Sequence, residues 1–223
     1  MCFFKFKKRK IDLENKNYEQ ILLKQYGYCK PINKSINILV FSDTHNSYAY
    51  NTEELEKIKE LNYDICLLLG DHSLTDIQEI LKFVPIDKIY GLRGNHDKLD
   101  DLAYCNIKNL HATSIEVNGI KIGGIQGSSK YKNSPTTAPI YTQEQSLEIS
   151  KNLNDLDIII SHDTYYFGEV EDISHQGMKG ITEAIYRNNC PIHIHGHLHS
   201  NEDRTMLNNT ISYGVYGYRL IKI

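Results

Sequence analysis

Several short apolar runs in this chain break off onto turns that carry aspartate, histidine or asparagine, and this pattern restricts the folds open to it. Ile36–Phe41 runs into Asp43-Thr44-His45, Ile65–Leu69 into Gly70-Asp71, and Lys88–Leu92 into Gly94-Asn95-His96-Asp97. Further on, Ile158–Ile160 runs into Ser161-His162, and Ile192–Ile194 into Gly196-His197-Leu198-His199. Compact apolar runs bounded by turn residues predict buried strands. Between the first three lie two helical segments. Asn51 with Glu54 resembles a capping box opening a helix to about Leu61, and a second helix is expected over Asp76–Phe83. Strand and helix alternating in this way predict a parallel sheet with helices packed on it. Ligand sites in such sheets lie at the carboxyl ends of the strands, so these strand ends deliver Asp, His and Asn to one edge.

The second half of the chain predicts a second sheet. Ser114–Val117 and Ile120–Ile125 flank Asn118-Gly119, a strong hairpin turn. Thr142 with Gln145 caps a helix to about Leu153, and Met178–Asn188 predicts another. Arg204–Leu207, Thr210–Val215 and Tyr218–Ile223 read as a β-meander around Asn208-Asn209. The fold class is therefore α/β, one domain over residues 36–223 with two sheets. Residues 1–35 form an N-terminal extension, read as a helix or arm packed on that domain. A second reading takes Met1-Cys2-Phe3-Phe4 and the basic run Lys5 to Lys10 as a weak membrane-surface contact through residues 1–10.

Composition excludes several classes. The 223 residues suffice for one sizeable core, and a net charge of −3 gives no nucleic-acid signal. No apolar run approaches the roughly 20 residues of a transmembrane segment. The basic start is not followed by the apolar core of a signal peptide. The five cysteines are scattered, with neither a CxxC pair nor a disulfide framework. A cytoplasmic location is expected from these features.

Four of the ten histidines alternate at His193, His195, His197 and His199. A row of imidazoles is out of place in a core, because each needs a polar partner when buried. The strand is expected to end near Ile194, with His197 and His199 on the following loop, His193 facing away from the site and His195 behind the ligands. His72 is expected behind the ligands or at the surface. Imidazole and carboxylate together suit Mn, Fe, Ni or Zn, and a carboxylate can bridge two cations roughly 3.5–4 Å apart. Glycine before Asp71, Asn95 and His197 lets the backbone approach the metals closely.

Asp43-x-His45, Gly70-Asp71, Gly94-Asn95-His96-Asp97, His162 and Gly196-His197-x-His199 resemble the ordered motifs of the calcineurin-like metallophosphoesterase superfamily. The resemblance implies a four-layer αββα sandwich of two mixed sheets, with the metal site at the carboxyl ends of the strands. It implies two divalent ions, with Mn2+ expected and Fe, Ni or Zn as alternatives. Asp43, His45, Asp71 and His199 would hold the first, and Asp71, Asn95, His162 and His197 the second, with Asp71 bridging. His96 would protonate the leaving oxygen or steady the transition state, and Asp97 would orient His96. Arg93 could grip a phosphate oxygen. Asp172-x-x-His175-x-Gly177 is similar to a segment that borders the substrate pocket in some members, which makes His175 a candidate substrate contact. Tyr165, with Tyr131, Tyr166 and Phe167, is a candidate pocket wall.

The expected activity is phosphoester hydrolysis by a metal-bridging hydroxide, preferably on a small phosphodiester or nucleotide. The alternatives are a Ser/Thr protein phosphatase or phosphomonoesterase, and a non-catalytic binding scaffold. Leu92-Arg93-Gly94-Asn95-His96 favours the phosphatase. Against it, Asp97 stands where such phosphatases usually carry Glu, and Asp71 is followed by His72-Ser73 rather than Arg-Gly. No ligand is missing, which speaks against the scaffold.

Overall fold

Residues 17–49, 52–97, 99–131, 136–168 and 172–223 are described in the structure, a computed structural model. The stretch 1–10 and the proposed cap Asn51 lie outside them. Side-chain alternation along the strands sorts the apolar residues into three cores. In β1 (Asn37–Ser42), Ile38 and Val40 face one side and Leu39 and Phe41 the other. In β2 (Ile65–Leu68) and the residue after it, Leu67 and Leu69 divide likewise from Cys66 and Leu68. Strands buried on both faces are expected to be continuously apolar, and these are.

β3 (Ile89–Gly91) and β4 (Lys108–Asn109) extend this sheet in parallel. The second sheet contains β5 (Ser114–Val117), β6 (Ile120–Ile125), β9 (Ile158–Ser161), β10 (Ile192–His195), β11 (Asp203–Thr205) and β12 (Ile211–Gly214), in the order β11-β12-β10-β9-β6-β5. β7 (Ser128–Ser129) and β8 (Ile140–Tyr141) form a small separate ladder. The two large sheets are mixed: β6, β9, β10 and β12 run parallel, with β5 and β11 as antiparallel edges. Between the sheets Val40, Leu67 and Leu69 pack against Ile122, Ile160 and Ile194. Each such side chain contributes about 1.5–3 kcal/mol on full burial.

Helices cover both outer faces. Leu55 of α2 (Glu53–Glu56) and Ile77 and Ile80 of α3 (Leu74–Ile80) pack on the first sheet, near α4 (Asp101–Tyr104). Ile181 and Ile185 of α6 (Lys179–Arg187) pack on the second, beside α5 (Gln143–Ser150). Layers therefore run α, β, β, α, as expected. A helix over residues 17–26, α1, adds buried Leu22 to the outer face of the second sheet. Glu19 of that helix accepts bonds from the Tyr186 hydroxyl and the Leu207 amide, which ties it to the domain. Among the described residues no helix is long and apolar enough to cross a membrane.

Two expectations are corrected. The helix expected to Leu61 starts after Thr52 and tightens into a 3-10 turn at Lys57–Glu60. The closing segment is not a meander. β11 and β12 pair as a hairpin, but β13 (Gly217–Lys222) crosses to the other sheet and pairs antiparallel with β1. The turn at Asn208-Asn209 is local and legible, whereas the partner of β13 is set by a strand at the other end of the domain.

Candidate metal centre

The loops after β1, β2, β3, β9 and β10 converge. In the loops after β1, β2 and β10 the backbone takes a conformation that side-chain-bearing residues seldom adopt. Asp43, His45, Asp71, His197 and His199 all have left-handed φ, between 45° and 66°. Such residues cost on the order of 1–3 kcal/mol each and persist only where the surroundings impose them. Buried carboxylates do so here. Asp76 accepts from Asn46 N, Tyr48 N and Thr44 Oγ1, fixing the loop after β1. Asp97 accepts from Asp71 N at 3.0 Å and Gly94 N at 2.6 Å, fastening the loop after β2 to that after β3. Glycine is required where the loops touch. A Cβ on Gly94 would lie 2.0 Å from Asp71 Oδ1, and one on Gly196 would lie 2.5 Å from Asp43 Oδ2.

Two groups of ligand atoms result, each within 4.8 Å: Asp43, His45 and His199, and Asp43, Asp71 and His162. In the first, the Nε2 atoms of His45 and His199 face each other at 3.3 Å, and His199 Nε2 is 3.4 Å from Asp43 Oδ1. That oxygen is buried and has no hydrogen-bond partner among the described residues, while Oδ2 takes Ser42 Oγ and His197 N. In the second, His162 donates from Nδ1 to the Leu69 carbonyl and turns Nε2 toward Asn95 Oδ1 at 2.8 Å and Asp71 Oδ2 at 3.5 Å. Burial disfavours charge on His162, but Asp71 outweighs it and lifts the imidazole to about 10. Burial likewise raises Asp71, yet His162 and the His96 amide hold its carboxyl far below the usual range. The cluster thus favours positive charge between its carboxylates. An imidazole fixed by a backbone carbonyl, an unpartnered buried carboxylate oxygen and converging nitrogens form a donor set suited to a divalent ion.

The sequence profile described as calcineurin-like phosphoesterase matches residues 36–201. The chain belongs to this family. The family is metal-dependent, and the ligand groups above are the candidates for metal binding here. An uncharacterized protein of Haemophilus influenzae is 31% identical over 97 residues, covering 40% of this chain and 42% of that protein. The chain thus spans under half the length of that relative. Protein TT1561 of Thermus thermophilus superposes with a TM-score of 0.58 at 14% identity, over 85% of this chain and 99% of the other. A phosphopantetheinyl hydrolase of Mycobacterium tuberculosis gives 0.56 at 10%, over 85% and 97%. A putative 5'-nucleotidase of Staphylococcus aureus gives 0.56 at 14%, over 85% of this chain and 51% of the other. At these identities the likeness is one of phosphoesterase fold.

The remaining candidates differ in where their side chains point. Asn95 is buried and bonded to His162, with its amide toward the Tyr131 hydroxyl. The His197 ring lies 5.1 Å from that of His162. His96 is exposed, with Nε2 3.9 Å from Asp71 Oδ2, at the mouth of a trough of about 330 Å³ lined by His45, Asp71, His72 and Asp97. Among the described residues Asp97 Oδ2 is bonded to the two loop amides rather than to the His96 ring. Burial, with the Asp71 charge adding, pushes the Asp97 carboxyl up to about 6. Arg93 spends its NH2 group on the carbonyls of Asp97 and Thr137, so it clamps the loop rather than facing the trough. His175 is half-exposed, paired with Asp172 at 2.8 Å, with its ring 5.2 Å from that of His197. Tyr165 is no substrate wall: it is buried among Ile159, Met178 and Ile181, and Phe167 is the ring that borders a cavity.

His193 and His195 overturn the argument that imidazoles do not line a core. Both are buried and stacked 5.2 Å apart. His193 bonds Ser161 Oγ and Ser212 Oγ, both at 2.8 Å, and His195 donates from Nδ1 to Gly196 O. Sequence reasoning also missed Asp76, Asp163 and Tyr216. Asp163 accepts from Ser129 N at 2.8 Å and comes within 4.0 Å of His197 Nε2. Tyr216 stacks on His199 at 5.0 Å. The position of Asp163 directly after His162 was an available signal; Asp76 and Tyr216 have none in their local sequence.

Proposed function

We propose that this chain hydrolyses a small phosphodiester or nucleotide with a pair of divalent cations, Mn2+ expected and Fe, Ni or Zn as alternatives. The observation that carries this reading is Asp43 Oδ1, a buried carboxylate oxygen with no hydrogen-bond partner among the described residues, beside the inward nitrogens of His45 and His199. An unpaired buried carboxylate oxygen is costly, and a cation there offsets the cost.

Asp43, His45, Asp71 and His199 would hold one ion, and Asp71, Asn95, His162 and His197 the other. By proximity Asp43 is common to both groups, but by lone pairs Asp71 is the better bridge. Among the described residues Asp43 Oδ2 is taken by Ser42 and His197, whereas Asp71 gives Oδ1 to one backbone amide, that of His96, and turns Oδ2 to His162, itself a candidate ligand. When bound, such ions supply Lewis acidity at phosphorus and acidify a water toward neutral pH. His96, exposed at the mouth of the trough, gives a proton to the leaving oxygen. Asp97 and Arg93 hold the loop that presents it.

A diester is preferred over a phosphoserine because of charge. The described residues lining the trough include no arginine or lysine, and Arg93 is engaged with carbonyls. A dianionic monoester would lack a clamp that a monoanionic diester does not need. Residues 36–223 are taken as the catalytic domain and 1–35 as an extension. A cytoplasmic setting goes with the free thiols of Cys29, Cys66, Cys105 and Cys190.

The test is to strip the protein with chelator, restore Mn2+, and assay a diester panel beside phosphoserine peptides. Two metal equivalents per chain and metal-dependent diester turnover are expected. Metal binding without turnover on any ester would favour the scaffold, and a clear preference for phosphopeptides would favour the protein phosphatase.

A further inference from the structure

A second cavity, of about 350 Å³, opens beside the cluster on the His197 side. Phe167, Leu198, Ser200 and Arg204 line it, together with His175 and His195. Among the described residues it shares none of its lining with the trough over Asp71 and His96, yet it is built on the same Gly196–His199 loop as the cluster. Its volume lies at the lower end of the roughly 300–1,000 Å³ usual for small-molecule sites.

Charge in this cavity is already paired. The Arg204 guanidinium is 3.0 Å from the Glu202 carboxylate, and His175 Nδ1 is 2.8 Å from Asp172. A second phosphate would compete with a carboxylate for every cationic donor. Among the described residues the lining thus presents no unpaired cation. Arg204 lies over the Phe167 ring at 4.8 Å, and Leu198 adds an apolar wall. Opposite in character are two neutral polar groups. His195 gives its Nδ1 proton to Gly196 O, so Nε2 carries a lone pair, and Ser200 offers a hydroxyl. An uncharged planar heterocycle with a polar edge matches this combination.

We propose that this cavity binds the nucleobase of one ester arm of a phosphodiester whose phosphorus sits at the metal centre; this rests on the phosphodiesterase reading above. The ring lies against Phe167 and Arg204, with its polar edge toward His195 and Ser200.

The test uses the full chain reconstituted with Mn2+ and two diesters, thymidine 5′-(4-nitrophenyl phosphate) and methyl 4-nitrophenyl phosphate. Their leaving group is the same, so any difference in kcat/KM reports the other arm. The expected wild-type preference for the thymidine ester is at least about tenfold, a size that stacking on one base can supply. That ratio is expected to fall toward one in Phe167→Ala and in Ser200→Trp, which fills the cavity, with metal content unchanged. Should Phe167→Ala fail to fold, Ser200→Trp, at a partly exposed position, gives the same reading. A wild-type ratio near one with both esters hydrolysed, or a preference untouched by the variants, overturns the cavity assignment and leaves the diesterase reading standing. If neither ester is hydrolysed the diesterase reading falls, and thymidine binding followed by ligand-observed NMR decides the cavity. Binding lost in the variants supports it, and no binding at millimolar thymidine overturns it.

Discussion

His197 Nε2 lies 2.7 Å from the carbonyl oxygen of Ser174, and this bond decides which nitrogen of the ring is bare. A carbonyl only accepts, so Nε2 carries the proton and Nδ1 the lone pair. The carbonyl is in turn placed by Asp172, whose Oδ1 accepts from Ser174 N at 3.0 Å and from Ser174 Oγ. Asp172→Ala is therefore expected to weaken one of two bound ions by about tenfold, as loss of groups behind a ligand does. Chelator competition checks it, and equal weakening of both ions would contradict the assignment of His197 to a single site.

Asp71→Asn is expected to lower metal content below one ion per chain, whereas Asp43→Asn retains about one. The reason is the count of spare acceptor sites on the two carboxylates. Elemental analysis of both variants separates the alternatives, since the reverse ranking would make Asp43 the bridge.

His96→Ala is expected to keep its metals and lose about 10²–10⁴-fold in kcat. Its imidazole is exposed and, among the described residues, makes no hydrogen bond that holds the cluster together; its backbone amide does, through Asp71 Oδ1. Metal loss matching that of Asp71→Asn would show the ring to be a ligand.

Burial pushes His193 well below the usual histidine value, with His195 adding. In the unfolded chain the same group titrates near pH 6.5. The stability this neutral histidine contributes is complete above about pH 6.5 and is lost as pH falls toward its folded value. In His193→Gln the amide can still bond Ser161 and Ser212 but does not titrate. For metal-stripped protein, the stability of the wild type relative to the variant should drop as the pH is lowered from 6.5 to 5. Urea melts at the two pH values measure it, and a constant difference would refute the argument.

Much of this site was readable from strand ends, because a parallel sheet puts all its carboxyl ends at one edge whatever the loops do. That is why Asp43, Asp71 and Asn95 could be grouped from the sequence, whereas His162 follows β9 of the second sheet and joins them only because the two sheets stack. Other features depend on registers that no local pattern reveals. His193 is satisfied by serines on the two neighbouring parallel strands, Ser161 and Ser212, and only the cross-strand pairing brings them together. Tyr165 and Phe167 were equally aromatic in sequence, yet the first turns into the core and the second toward a cavity. Asp97 stood beside His96 in sequence but turned its carboxylate to the amides of Asp71 and Gly94.

The pairing of Asn37 with Lys222 also imposes an order in time. During synthesis β1 is made well before β13, so one of its two neighbours is missing until that distant strand emerges. Until then its outer row of backbone amides and carbonyls has no partner in this sheet and offers an edge to any other extended chain. The nascent protein therefore has a window of vulnerability set by elongation rather than by its final stability, and closing that window is the task of β13.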